Sequence, residues 1–213
     1  GFIGLAEALI LLTGKDHSES EESWQIGLEI IRMMRQKMDD ATDKHQVNFS
    51  LLATPAEGLS GKFTEKDRAR WGVIPGITDK AFYTNSFHVP VTAKISIEEK
   101  IKREAPFHDF CNAGHITYIE IDGNASANPK ALAQIVEYMK KYRIGYGSIN
   151  HPLDRCKTCG YSGIIGQECP QCGESDDNHV DRIRRITGYL VGSLDRWNDA
   201  KKDEEKKRVK HTW

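Results

Sequence analysis

Cys156, Cys159, Cys169 and Cys172 fall as two C-x2-C pairs joined by a short spacer, and this constrains the chain more than any other feature. After His151-Pro152 the composition turns to glycine, cysteine and polar residues through Glu174. Such a stretch has too few apolar side chains to fold around a core of its own, so a metal clip is its natural source of order. Four competing chemistries fit the residue types: structural zinc, an iron–sulfur cluster, a redox dithiol pair and disulfides. Tandem knuckles with Gly160 after the first pair and Gly173 after the second favour Zn²⁺ in a closed tetrahedral thiolate site, because glycine permits the tight turns that follow each pair. The five cysteines are an odd number, which weakens a secreted disulfide framework and favours a reducing cytosol.

A chain of 213 residues can bury one good core and a small appended module. Lys+Arg at 30 against Asp+Glu at 31 gives no global basic bias toward nucleic acid and no acidic excess toward disorder. The apolar run Leu5 to Leu12 is too short to span a bilayer, carries Glu7 and lacks a basic segment before it. Neither a signal peptide nor a membrane helix is expected, and a cytoplasmic location is. Opening on Gly1-Phe2 suggests a portion of a longer polypeptide.

Apolar residues at helical spacing predict a helix through Leu5, Ala8, Leu9 and Leu12, broken at Gly14, and a longer one from about Glu21 to Asp43 with Trp24, Leu28, Ile31, Met34 and Met38 on one face. Val47 to Leu52 reads as a buried strand ending before Pro55. Lys62 to Arg70 reads as a short surface helix, and Gly72 to Val91 as an irregular loop around Tyr83-Thr84-Asn85-Ser86. A helix over Ser96 to Phe110 follows, then a strand over His115 to Ile121, a helix opened by Pro129 and running to Tyr142, and a strand over Gly145 to Ile149. That βαβ rhythm is the mark of a parallel sheet, compatible with an open doubly wound sheet or a closed barrel. Arg196 to His211 interleaves acids and bases and reads as a solvated helix.

Downstream of the cysteines stands Arg184-Arg185-Ile186-Thr187-Gly188-Tyr189-Leu190, which resembles the glycyl-radical motif. Together with the knuckles it is similar to the C-terminal end of the anaerobic (class III) ribonucleoside-triphosphate reductase large subunit. Gly1-Phe2-Ile3-Gly4-Leu5-Ala6-Glu7, Thr54-Pro55-Ala56-Glu57-Gly58, Tyr83 through Val91 and Ala113 through Glu120 resemble stretches of that family in the same order. The resemblance runs nearly end to end. It implies an α/β fold in which residues 1–151 are the C-terminal part of a ten-stranded α/β barrel, 152–177 a zinc-ribbon module, and 178–213 the glycyl-radical loop and a C-terminal helix. It further implies anaerobic reduction of ribonucleoside triphosphates for deoxyribonucleotide biosynthesis and DNA replication, and a radical-SAM activating enzyme with a 4Fe–4S cluster. Formate as reductant, a homodimer of the full subunit, and nucleotide allostery outside this portion complete the expectation, with no direct nucleic-acid contact.

A radical at a main-chain Cα is stabilised by the amide nitrogen on one side and the carbonyl on the other, and only glycine flattens there without a side chain striking the adjacent carbonyl. Gly188 is therefore expected to store the radical, with Thr187 and Tyr189 flanking it and Arg185 anchoring the loop. In the family the matching glycine passes the radical to an upstream cysteine, which takes the 3′ hydrogen of the ribose. Cys111 is not expected to be that cysteine; it reads as a buried filler, so the portion alone should not turn over substrate. Thr54-Pro55-Ala56-Glu57-Gly58 reads by itself as a proline turn, and the resemblance makes it a loop near the nucleotide phosphates. Asn85 and Ser86 read as turn residues, His88 and His115 as packed histidines, and Lys201 to Lys210 as a solvated face rather than a docking surface for the activase. Two readings from other classes stand beside this one: a noncatalytic spare part supplying a radical-bearing tail, and a zinc-ribbon binding module.

Overall fold

Glycines bracket the first helix, α1 (Leu5–Thr13): Gly4 precedes it at φ 75°, and Gly14 closes it at φ 82° with its N–H on the Ile10 carbonyl. The structure, a computed structural model, describes residues 1–121, 128–151, 153–186, 189–191 and 197–211. Helix α2 (Glu21–His45) starts where the Ser20 hydroxyl accepts from the Ser23 N–H, with Glu21 and Glu22 at its positive end and Lys44 and His45 at its negative one. Helix α3 (Leu59–Trp71) follows the Thr54–Gly58 loop. In α4 (Ile97–Phe110) the Ser96 hydroxyl accepts from the Glu99 N–H, and α5 (Pro129–Lys141) is capped by Asn128 with proline in its first turn.

Three helices share one core. Leu5 and Leu9 of α1, Leu28 and Ile31 of α2 and Phe107 of α4 enclose Leu51, Ala53, Phe87 and Cys111, and the Phe87 and Phe107 rings stack 5.3 Å apart. Trp24, Met34 and Met38 pack against this cluster, as their spacing predicted. A second cluster joins Ile97 and Ile101 of α4 to Ile119 and Ile135. It seats the βαβ unit: β1 (Thr117–Glu120) and β2 (Gly147–Asn150) pair in parallel around α5, Thr117 opposite Gly147 and Glu120 opposite Asn150. The parallel arrangement expected from the rhythm is present.

Two expectations need correction. Val47 to Leu52 is no strand. Val47 is 57% and Phe49 37% exposed, and the segment makes parallel contacts only at its end, where Leu52 bridges Ala113 and Ala53 bridges Phe2. Apolar and β-branched residues there reflect one buried side chain, Leu51, rather than a backbone ladder.

The charged C-terminal helix, α6 (Asp199–Lys207), is not simply solvated either. Lys201 is 4% and Glu204 1% exposed; Lys201 Nζ meets Glu204 Oε2 at 2.5 Å, and Arg208 bridges Glu204 Oε1 at 3.0 Å and Glu120 Oε1 at 2.5 Å. Beyond α6 the tail is tied down: the Val209 N–H donates to the Val91 carbonyl, the His211 N–H to the Glu120 carbonyl, and the Glu120 N–H to His211 Nδ1.

Four histidines are buried or half-buried in the fold, and two of them, His88 and His211, border this network. Burial pushes His108 and His211 down to about 4 and lowers His17 and His88 as well, so all four are neutral near pH 7. His108 Nδ1 accepts from the Gly145 N–H, so Nε2 carries the proton and donates to Thr117 Oγ1. Because these folded values lie below the ordinary value of 6.5, the unfolded chain binds protons first as pH falls. Their stabilising contribution is full above about pH 6.5 and is lost toward pH 4, at up to about 1.4 kcal/mol per unit for each group. Imidazole NMR titration should place His108 and His211 near 4; midpoints at 6.5 would contradict the burial argument.

Candidate functional site

The cysteine pairs converge. Cys156 ends β3 (Leu153–Cys156), which pairs antiparallel with the short β4 (Ser162–Gly163) and with β5 (Val180–Ile186), and β5 pairs in turn with β6 (Tyr189–Val191). Gly160 at φ 78° and Gly173 at φ 74° turn the chain after each pair and return their N–H groups to the carbonyls of Cys156 and Cys169. The four Sγ atoms lie within 4.8 Å of one another, with Cys156 to Cys172 and Cys159 to Cys169 both at 3.6 Å. A tetrahedral ion with bonds of about 2.3 Å sets its sulfurs roughly 3.8 Å apart, so the donor set fits.

Electrostatics makes the same point. Burial pushes the Cys156 thiol up, but N–H groups of Cys159 and Thr158 and the Cys172 sulfur outweigh it and bring it down to about 7. At Cys172 the Glu174 N–H pulls downward, yet the neighbouring sulfurs and burial win and push it up to about 12. Four thiolates this close repel one another, and a divalent cation resolves the repulsion. Among the described residues this is the one group of His, Cys, Asp and Glu side chains close enough to hold an ion.

Sequence reasoning missed the struts around the cluster. Glu174 Oε2 accepts from the Thr158 hydroxyl at 2.7 Å and meets His179 Nδ1 at 3.0 Å, tying the two knuckles together. Buried Asp154 accepts from the Ile165 N–H at 2.9 Å, while Arg182 of β5 donates to the carbonyls of Ile165 and Gly166. Cys156 stands opposite Val180, so β5 runs straight out of the cluster to the R-x-x-G-Y motif, whose Arg185 lies about 16 Å along the strand at roughly 3.3 Å per residue. The last pairs of the β5–β6 ladder are Arg185 with Leu190 and Ile186 with Tyr189. Thr187 and Gly188 lie outside the described residues.

The Thr54–Gly58 loop enters the N-terminus of α3, and Ala56, 2% exposed, gives its N–H to Asn85 Oδ1 at 3.2 Å. Tyr83-Thr84-Asn85-Ser86, expected at the centre of an irregular loop, is buried against α1. Glu7 Oε1 accepts from the Thr84 N–H and hydroxyl, and the Gly4 N–H donates to the Thr84 carbonyl. Asn85 is thus more than a turn residue: it holds the neighbouring loop. His88 donates to the Ile116 carbonyl at 2.7 Å and is structural, as expected. Cys111 is 1% exposed in the apolar core, its thiol pushed up by burial to about 12, in keeping with a filler role.

A parallel βαβ unit packed on helices, followed by an antiparallel ribbon with four convergent thiols, is a mixed α/β architecture found in anaerobic ribonucleotide reductases. It superposes on a structure described as an anaerobic ribonucleotide reductase with TM-score 0.75 and 22% identity, covering 91% of this chain and 30% of that one. The Thermotoga maritima anaerobic ribonucleotide reductase in complex with dATP and CTP gives TM-score 0.69 and 20% identity, covering 97% of this chain and 32% of that one. The family model for anaerobic ribonucleoside-triphosphate reductase matches residues 1–211. Enzymes of that name from Salmonella typhimurium and Enterobacteria phage T4 are 40% and 38% identical over 99% of this chain. The chain belongs to the anaerobic ribonucleoside-triphosphate reductase family, and it spans 30% and 34% of the length of those two relatives.

Proposed function

We propose that this chain supplies the radical-storage and metal-bound part of an enzyme that reduces ribonucleoside triphosphates to 2′-deoxyribonucleoside triphosphates without oxygen. The observation that carries the reading is the four-thiol cluster joined by one strand to the R-x-x-G-Y motif. Residues 1–151 would form part of a ten-stranded α/β barrel, 152–177 a zinc ribbon, and 178–213 the radical loop with its helix. Gly188 stores the unpaired electron, Thr187 and Tyr189 flank it, and Arg185 anchors the loop. A cysteine outside the five of this chain gives its thiol hydrogen atom to the Gly188 Cα radical, and the resulting thiyl takes the ribose 3′ hydrogen atom.

Cys156, Cys159, Cys169 and Cys172 would hold Zn²⁺, whose chemistry is to bind four thiolates and so rigidify the ribbon. With about 16 Å of β5 between the cluster and Arg185 of the motif, the four cysteines would support the radical loop through scaffolding alone. Thr54, Pro55, Ala56 and Glu57 form the substrate phosphate loop. Its support is the positive end of α3 that follows, where N–H groups and the helix dipole favour an anion. A radical-SAM activase with a 4Fe–4S cluster generates the radical, formate is the reductant, and the full subunit works as a cytoplasmic homodimer. No helix among the described residues is long and apolar enough to cross a membrane. A match over residues 1–211 weighs against a spare-part tail, which needs little beyond the loop.

Turnover tests the reading. A subunit of the relatives' full length carrying this chain, activated anaerobically and given formate, should convert a ribonucleoside triphosphate to its deoxy form. A verified glycyl radical with no deoxynucleotide would exclude this reaction.

A further inference from the structure

The helix that follows the radical motif in sequence grips the loop assigned to phosphate. Asn198 works with both ends of its amide: Oδ1 accepts from the Lys201 N–H at 3.0 Å, capping α6, while Nδ2 donates to the Glu57 carbonyl at 2.8 Å. Lys201 Nζ lies 3.5 Å from Asn85 Oδ1, the same oxygen that receives the Ala56 N–H at 3.2 Å. Ala200 closes the contact, since a Cβ on Gly61 of α3 would come within 2.7 Å of its own Cβ.

Buried charge makes the contact specific. Lys201, Glu204, Arg208 and Glu120 alternate in sign and sum to zero, so the Lys201 ammonium cannot leave the junction without leaving the buried negative charge of Glu204 and Glu120 under-compensated. The adjoining cavity, bordered by Asn85, His88, Glu204 and Arg208, has a volume of about 30 Å³. It has room for a water or two and no substrate, so the junction is a lock rather than a ligand site.

We propose that Asn198 and Lys201 are positioning residues for the Thr54–Gly58 loop, so that the segment downstream of Gly188 sets the loop's shape. The consequence for substrate rests on the phosphate reading; the coupling itself does not. Whatever binds the loop in its Lys201-held shape tightens the docking of α6 by the same factor. Nucleotide binding and seating of the chain beyond the radical motif are thereby linked.

Amide hydrogen exchange on the zinc-loaded full chain tests this, with inorganic tripolyphosphate as probe. Two variants are compared: Lys201→Met, which removes the ammonium, and Asn198→Asp, which keeps the capping oxygen and loses the donor to Glu57. Each should speed exchange of Ala56 and its neighbours by about tenfold and weaken protection by tripolyphosphate by a similar factor, with β3, β5 and zinc content unchanged. In the unsubstituted protein the probe should slow exchange in α6. A merely structural helix would leave the probe's affinity unmoved in Asn198→Asp. Unchanged Ala56 exchange in both variants overturns the coupling. Faster exchange in the variants, with no protection of the unsubstituted loop by millimolar probe, leaves the coupling standing and removes the phosphate reading instead.

Discussion

Gly188→Ala should abolish the glycyl doublet in the electron paramagnetic resonance spectrum of anaerobically activated protein while leaving the fold and the metal content unchanged. The physical reason is local. An unpaired electron at Cα is delocalised only when nitrogen, Cα and carbonyl lie in one plane, and a methyl group at that carbon collides with the neighbouring carbonyl in the planar form. A loss of at least about 100-fold, some 2.7 kcal/mol by the conversion of rate or population ratios, is expected. Tyr189→Phe, which keeps the glycine and changes only its neighbour, should retain a doublet. An undiminished signal in Gly188→Ala would move the radical elsewhere in the chain.

Replacing the first knuckle, Cys156→Ser with Cys159→Ser, should have the next largest effect. Structural zinc sites of this type contribute roughly 10–16 kcal/mol of apparent binding free energy, which in a segment poor in apolar residues is folding free energy. Metal content should fall from one ion per chain to none, and β3 to β5 should lose exchange protection. The α1, α2 and α4 core, which shares no residue with the Cys156, Ile165, Cys169 and Val180 cluster, should keep its own. Radical yield should fall with the ribbon, because β5 carries the motif out of it. A metal-free variant that still forms the full radical would separate the two modules and refute the scaffold role.

How much was legible in the sequence depends on where each interaction closes. The convergence of the four cysteines was legible, because C-x2-C spacing and the positive φ of Gly160 and Gly173 are local properties. The helices were legible as well, since capping by Ser20, Ser96 and Asn128 and the stripe through Leu28 and Ile31 act within a few turns. Val47 to Leu52 failed because composition reports a buried side chain and says nothing about where a backbone finds partners; the Phe49 and Leu51 N–H groups donate to the side chains of Thr42 and Asn112, and within the segment only Leu52 makes a β-bridge. The tail failed for a subtler reason. Trp197, Lys201, Glu204 and Arg208 follow helical spacing and form a buried stripe, but three of the four are charged. Lys201 and Arg208 each pair with Glu204 within the helix turn, but the remaining partners, Glu120 and Asn85, stand 88 and 116 residues away, so no window along the chain reveals that the stripe is buried. Asn85 was missed in the same way, its amide being fixed by Ala56 and Lys201 from distant segments.

The proposed radical resides at the main-chain carbon of Gly188, and oxygen reads it out directly. Activated protein exposed to air and analysed by intact mass and peptide mapping should be cut at Gly188 in proportion to its radical content, with no cut in unactivated material. Activated protein of measured radical content that stays whole at this position would contradict it.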